Sequence, residues 1–206
     1  MRIAILLFGR SRHAEHTYPT LLHSLRNHTV DVFYSGDNEA IEKLVEICTP
    51  VSTINDPITY TVDFSKYPIF IPDIYAPNFD SMTRHFINKK RVFILLEEYM
   101  AKHGVAYDLV ICARLDIPIH GLAIPEPAPA KNTVYIPLGY DYFGINDRFA
   151  MGDVDSMKKY MLLYDSAVYL LDTKVTVPHP ESLALANIKY RGLEVVRIQV
   201  STEIIR

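Results

Sequence analysis

Apolar positions along this chain follow two different periods, and the places where one gives way to the other mark its elements. The stretch RIAILLFG, residues 2–9, is apolar from its second residue and stops at a glycine. That pattern predicts a strand covered on both faces, as in a parallel sheet. Residues 16–28 place Leu21, Leu22 and Leu25 at helical spacing. Residues 30–35, VDVFYS, are β-rich and stop at Gly36-Asp37, and residues 38–49 set Ile41, Leu44, Val45, Ile47 and Cys48 on one helical stripe. Strand, helix, strand, helix within fifty residues predicts an α/β fold with a mostly parallel central sheet.

The rest of the chain extends that alternation. Residues 50–80 are rich in Pro, Asp and aromatics and read as a long irregular connection with short extended pieces. Residues 81–104 carry the strongest helical pattern, with Ser81 placed to cap it and Gly104 to end it. YDLVICARLD, residues 107–116, is a second buried strand, and IPEPAPAKN, residues 124–132, is a Pro-rich surface turn. Residues 133–138 predict a strand, 154–173 a helix, 178–192 a Pro-led helix stopped at Gly192, and 193–200 a last strand. No internal repeat or low-complexity segment interrupts this order. It reads as one domain over residues 1–206, alone or as one domain of a longer chain.

Composition narrows the function classes. Apolar residues make up 49% of the 206 and charged residues 22%, a globular balance. The net charge is −3, and the longest basic run is Lys89-Lys90-Arg91, which argues against a nucleic-acid binder. The six-residue apolar core of the N-terminus is too short for a signal peptide, and no window is long enough to span a membrane. Cys48 and Cys112 sit in apolar surroundings without a CxxC pair and read as free buried thiols of a cytoplasmic protein.

The chemistry gathers where strands end. A strand that is apolar or small from Leu109 to Ala113 closes with Arg114 and Asp116, and a buried charge costs several kcal/mol unless it is paired or used. The first strand ends in Gly9-Arg10-Ser11-Arg12, the second in Ser35-Gly36-Asp37, and a later one leads to Asp141 and Gly144-Ile145-Asn146-Asp147. Open α/β sheets bind ligands at the carboxyl ends of their strands. Arginines there suit phosphates, and carboxylates suit a divalent metal, so the set points to a nucleotide diphosphate. Each residue also has a structural reading: Asp37 as a helix cap, Asp116 as the partner of Arg114, Asp147 as a turn cap, Lys89 to Arg91 as a wet helix face. His179 and Glu181 in PHPES fit a Pro-led helix start with an acid in its first turn. The P-loop pattern GxxxxGK[ST] is absent, as is GxGxxG after the first strand. GRSR is not a nucleophile elbow, because His13 stands where the second Gly would be.

The order LLFGRSR, DVFYSGD, INKKRVFILLEEY, YDLVICARLD, VYIPLGYDYFGINDRFAMGDVDSMKKY and HPESL resembles small GT-A-type glycosyltransferase domains of large DNA viruses, notably the capsid-glycan transferases of chlorella viruses, and of some bacterial and algal surface-glycan loci. The resemblance covers roughly residues 2–200. It implies a GT-A-like (Rossmann-like) three-layer sandwich, a UDP-sugar or GDP-sugar donor with UDP favoured, Mn²⁺ or Mg²⁺, and a glycan or glycoprotein acceptor. A viral enzyme of this kind would glycosylate capsid protein in the host cytoplasm. The family's D-x-D triplet matches Arg114-Leu115-Asp116, so Asp116 keeps the metal position while Arg114 replaces the first Asp. By the same resemblance Gly9, Arg10, Arg12, Asp37, Asn88, Arg91, Arg114, Asp141 and Asn146 would bind the nucleotide sugar. His179 would add a metal ligand, and Asp147, with Glu181 second, would be the base of an inverting reaction. Rival readings are a sugar-nucleotide pyrophosphorylase, whose Gly-rich signature FGRSRHAEH does not match, and a non-catalytic sugar-nucleotide-binding module.

Overall fold

A computed structural model of the chain describes residues 1–206 apart from 11–12, 37–40, 61, 73–74, 127, 205–206 and the side chain of Lys43. Arg12 and Asp37, two expected donor contacts, therefore lie outside the described residues.

The expected α/β fold is present. The first half supplies β1 (Arg2–Phe8), α1 (Ala14–Ser24), β2 (Thr29–Ser35), α2 (Glu42–Cys48), β3 (Ser52–Ile54) and α3 (Phe79–His103). The second half supplies β4 (Leu109–Arg114), β5 (Thr133–Pro137), β6 (Phe149–Gly152), α4 (Val154–Met161), α5 (Leu163–Asp172), α6 (Pro180–Tyr190) and β7 (Glu194–Ile198). Seven strands form one sheet in the order β3-β2-β1-β4-β6-β5-β7. Only β6 runs antiparallel to its neighbours, β4 and β5.

Alternation along β1 shows why its run is apolar throughout. Ala4, Leu6 and Phe8 join the core under α3 to α6, while Ile3, Ile5 and Leu7 join the core under α1 and α2. Two faces buried by two helical layers leave no place for a polar residue. Each large side chain buried this way contributes about 2 kcal/mol. Helix α3 ends at Gly104 as expected, with φ 64, but it begins two residues earlier than expected: the Asn78 side chain accepts from the Ser81 backbone N–H. The helix expected over 154–173 is two helices, turning at Leu162, where no Gly or Pro marks the break.

Two strands escaped the sequence pattern. β3 has only three residues, and β6 is hidden in a loop-like sequence because it has just four. β6 matters most for the site. It returns antiparallel against β4, so that Asp147, just before it, lies beside the carboxyl end of β4.

Candidate functional site

The carboxyl ends of β1 and β4 open into a cleft of about 300 Å³, lined by Phe8, Gly9, Arg10, Arg114, Leu115 and Asp116. Helix α3 closes its other side with Ser81, Arg84, His85 and Asn88. Those four positions are spaced i, i+3, i+4 and i+7, one face of a helix. Gly9 has φ 89, a conformation that suits glycine, and its carbonyl accepts from the Tyr34 hydroxyl at 2.8 Å. Of the expected donor contacts, Gly9, Arg10, Asn88 and Arg114 thus come together with Asp116. Arg84 and His85 were missed by the sequence reading, although their helical spacing to Asn88 carries the signal.

Arg114 answers the charge at the end of β4. Its Nε and Nη2 donate to Asp116 Oδ1 and Oδ2 at 3.0 and 2.6 Å, a two-pronged ion pair inside the cleft. Both oxygens that a metal would need are therefore engaged. His179, the other expected ligand, is 5% exposed, and its Nδ1 lies 3.3 Å from Glu181 Oε2. Among the described residues no group of three His, Cys, Asp or Glu side chains converges as a metal cage would. As they stand, Asp116 and His179 form no protein cage, so an ion at Asp116 would draw the rest of its shell from a diphosphate and water.

Behind the cleft wall lies a buried charged cluster. His85 Nε2 is 3.0 Å from Asp147 Oδ2, but the two atoms do not form a hydrogen bond, and the contact is an ion pair only when the ring is protonated. Lys89, expected on a wet face, is 2% exposed. Its Nζ donates to the Asp147 carbonyl at 2.9 Å and to the Tyr160 hydroxyl at 3.3 Å, and it lies over the rings of Tyr160 and Phe8. Burial opposes charge on Asp147, yet His85, Lys89 and Arg114 outweigh it and hold the carboxyl well below the usual range. Burial pushes His85 down, towards the neutral ring. Glu181 goes the other way. Burial first, and then the negative charge of Asp147, push it up to about 8. The two carboxylates named from sequence thus feel each other's charge and are shifted in opposite directions.

The remaining expected contacts stand elsewhere. Arg91 donates to the carbonyls of Asp56 and Pro57 and does not line the cleft. Asn146 is fully buried: its amide donates to the Gly139 carbonyl and the Thr202 hydroxyl, and its oxygen accepts from the Arg148 N–H. Asp141 is paired with Arg197 and accepts from the Asn146 N–H. Both residues shape the loop after β5 with polar atoms that a sugar would otherwise use.

No protein-family model matches the sequence, and no curated protein matches it either. Among solved structures, one named a "putative nucleotide-diphospho-sugar transferase", from Desulfovibrio desulfuricans G20, aligns over 96% of this chain and 79% of its own, with 12% identity and a TM-score of 0.46. At that level the likeness assigns no activity to this chain.

Proposed function

We propose that this protein is a glycosyltransferase that uses a nucleotide-diphosphate sugar, UDP-linked in the first instance, and transfers the sugar to a glycan or glycoprotein hydroxyl. The observation that carries the reading is a cleft at the carboxyl ends of β1 and β4, walled by Arg10, Arg84 and Arg114, with the buried Asp147 against its His85 wall. The residue order that resembles the chlorella-virus capsid-glycan transferases supports the finer reading of a capsid acceptor and a host-cytoplasmic site of action.

In this reading the arginines take the diphosphate. Their charge favours the leaving group as the bond between the anomeric carbon and the phosphate oxygen breaks and the electron pair departs with the nucleotide. Asp147, held ionised behind the His85 wall, would act through its field, favouring positive charge as it builds on the sugar ring. In an inverting course the acceptor oxygen bonds to the anomeric carbon, and its proton passes to a carboxylate. Glu181 suits that role better than Asp147 in its ionised form, which is the stronger base and whose share grows as the pH rises towards 8. This proposal places Glu181 before Asp147 as the base, the opposite of the order expected from the resemblance.

The test is thermal shift with UDP, UDP-sugars and GDP-sugars, each with Mn²⁺ and with EDTA, on wild type and Arg114→Gln. A rise in Tm with a uridine or guanosine ligand that is the same in EDTA and lost in Arg114→Gln supports the arginine-bound diphosphate. A rise only with Mn²⁺ returns the ion to the site, and no rise with any sugar nucleotide refutes the reading. The closed Arg114–Asp116 pair favours a second reading, a non-catalytic sugar-nucleotide-binding module. Such a module binds the donor but releases no nucleotide from it.

A further inference from the structure

The loop after β5, residues 139–144, exposes aromatic rings in a way that neither the core nor the donor cleft requires. Tyr140 and Tyr142 are 39% exposed, Phe143 54%, and Tyr75, from the segment before α3, meets them at 41%. Ring centroids are 5.4 Å apart for Tyr75–Phe143, 6.2 Å for Tyr75–Tyr142 and 6.3 Å for Tyr140–Tyr142. The four rings therefore form one contiguous cluster, a shelf of tilted rings in which Tyr75 meets Phe143 edge-on.

The backbone is strained to make it. Tyr140, Tyr142 and Phe143 have φ of 56, 28 and 61, a region that side chains other than glycine occupy at a cost of about 1 kcal/mol or more each. Such a loop persists only if it is held. Asp141 and Asn146 tie it from below, and Arg148 lies 4.4 Å from the Tyr140 ring centre while donating to the Thr202 carbonyl. On the other side the Ile145 N–H donates to the Glu181 carbonyl, and the Ser182 hydroxyl donates to the Phe143 carbonyl. Gly144 allows this approach, since a Cβ there would lie 2.0 Å from the Glu181 oxygen. The shelf is thus fixed to the same helix turn that carries Glu181. Phe143 also packs edge-on to His179, the neighbour of Glu181.

We propose that this shelf is the acceptor subsite and that it takes a sugar ring. This inference rests on the glycosyltransferase reading. Each tyrosine ring offers an apolar face and a hydroxyl, and the hydroxyls of Tyr75, Tyr140 and Tyr142 make no side-chain hydrogen bond among the described residues. A pyranose has the complementary build, with a patch of C–H groups on one face and a rim of hydroxyls. Tyrosine is the side chain that meets both at small entropic cost. Strain held at an exposed position beside a reactive carboxylate is where a ligand contact is expected.

The experiment is saturation-transfer NMR with methyl glucoside, galactoside, mannoside and fucoside on the full chain. It is repeated with the double variant Tyr142→Ala/Phe143→Ala and with Tyr142→Phe, and UDP-induced thermal shift is measured on the same samples. The expected result is transfer to the ring C–H protons of at least one glycoside and at least tenfold weaker binding in the double variant. Tyr142→Phe, which keeps the ring, stays within about threefold of wild type, and the UDP shift is unchanged throughout. Transfer to no glycoside, or equal binding by the double variant, overturns the subsite. Glycoside binding that depends on the rings in a protein with no UDP shift upholds the sugar shelf and removes the transferase reading instead.

Discussion

Replacing Lys89 by Met tests whether the buried cluster behind the cleft is held by charge. The Nζ of Lys89 has no contact with solvent to fall back on; it donates to the Asp147 carbonyl at 2.9 Å and lies 4.7 Å from the Tyr160 ring centre. Methionine keeps the length of the stem and removes the charge. The loss comprises a charge-assisted hydrogen bond of about 2 kcal/mol and ring contacts of about 1 kcal/mol. The ionised Asp147 also loses a neighbouring cation, and removing one member of a buried ionic set costs about 3 kcal/mol or more, even after the ammonium's own desolvation is recovered. A net loss of about 3 kcal/mol lowers Tm by roughly 6–12 °C in a chain of this size. Urea unfolding with circular dichroism reads the free energy directly, and the double variant Lys89→Met/Asp147→Asn reads the coupling. The double variant should lose less than the sum of the two single losses, because an uncharged amide in place of the Asp147 carboxylate no longer needs the cation. A Tm for Lys89→Met within 2 °C of wild type, or above it, would refute the electrostatic account and make Lys89 a greasy stem.

Three further outcomes follow from the same contacts. Glu181 titrates at about 8 when folded against 4.5 in the unfolded chain, so the native state holds the extra proton; stability falls as pH rises between those values, by up to about 1.4 kcal/mol per pH unit. His85 and Asp147, both shifted down, act below pH 6.5, so urea unfolding from pH 7 to pH 8 isolates Glu181, and Glu181→Gln should flatten the slope there. Gly144→Ala drives a Cβ into the Glu181 carbonyl and is expected to cost about 3 kcal/mol and to reduce transfer, whereas a wild-type Tm and rate would show that the loop yields freely. Cys48 and Cys112 are buried and their thiols are pushed up to about 12 by burial, so a thiol reagent at pH 8 should label neither until the protein is unfolded, and then both.

What the sequence made legible, and what it hid, has a physical pattern. β1 and β4 are buried on both faces, as is the second half of β2, and such stretches are filled mainly by apolar side chains, so their positions and the carboxyl-end site were readable. β3 and β6 are too short for any period to show, and β6 decides where Asp147 sits. Lys89 was read as solvated because a lysine on a helix usually is. Its burial depends on the Asp147 carbonyl and Tyr160, 58 and 71 residues away. Asp141 and Asn146 were assigned to the nucleotide sugar, but residue type alone does not separate a side chain that meets a ligand from one that holds a loop in shape. Their partners Arg197 and Thr202 are supplied from β7 and the segment beyond it. The two acids show the limit most sharply. Asp147 and Glu181 are equivalent as letters, and the sequence favoured the one nearer the motif. Only the contacts distinguish them. One lies among Lys89, His85 and Arg114 and is fixed as an anion. The other is buried next to that anion, and its carboxyl is pushed up to about 8, where a proton is gained and lost close to neutral pH.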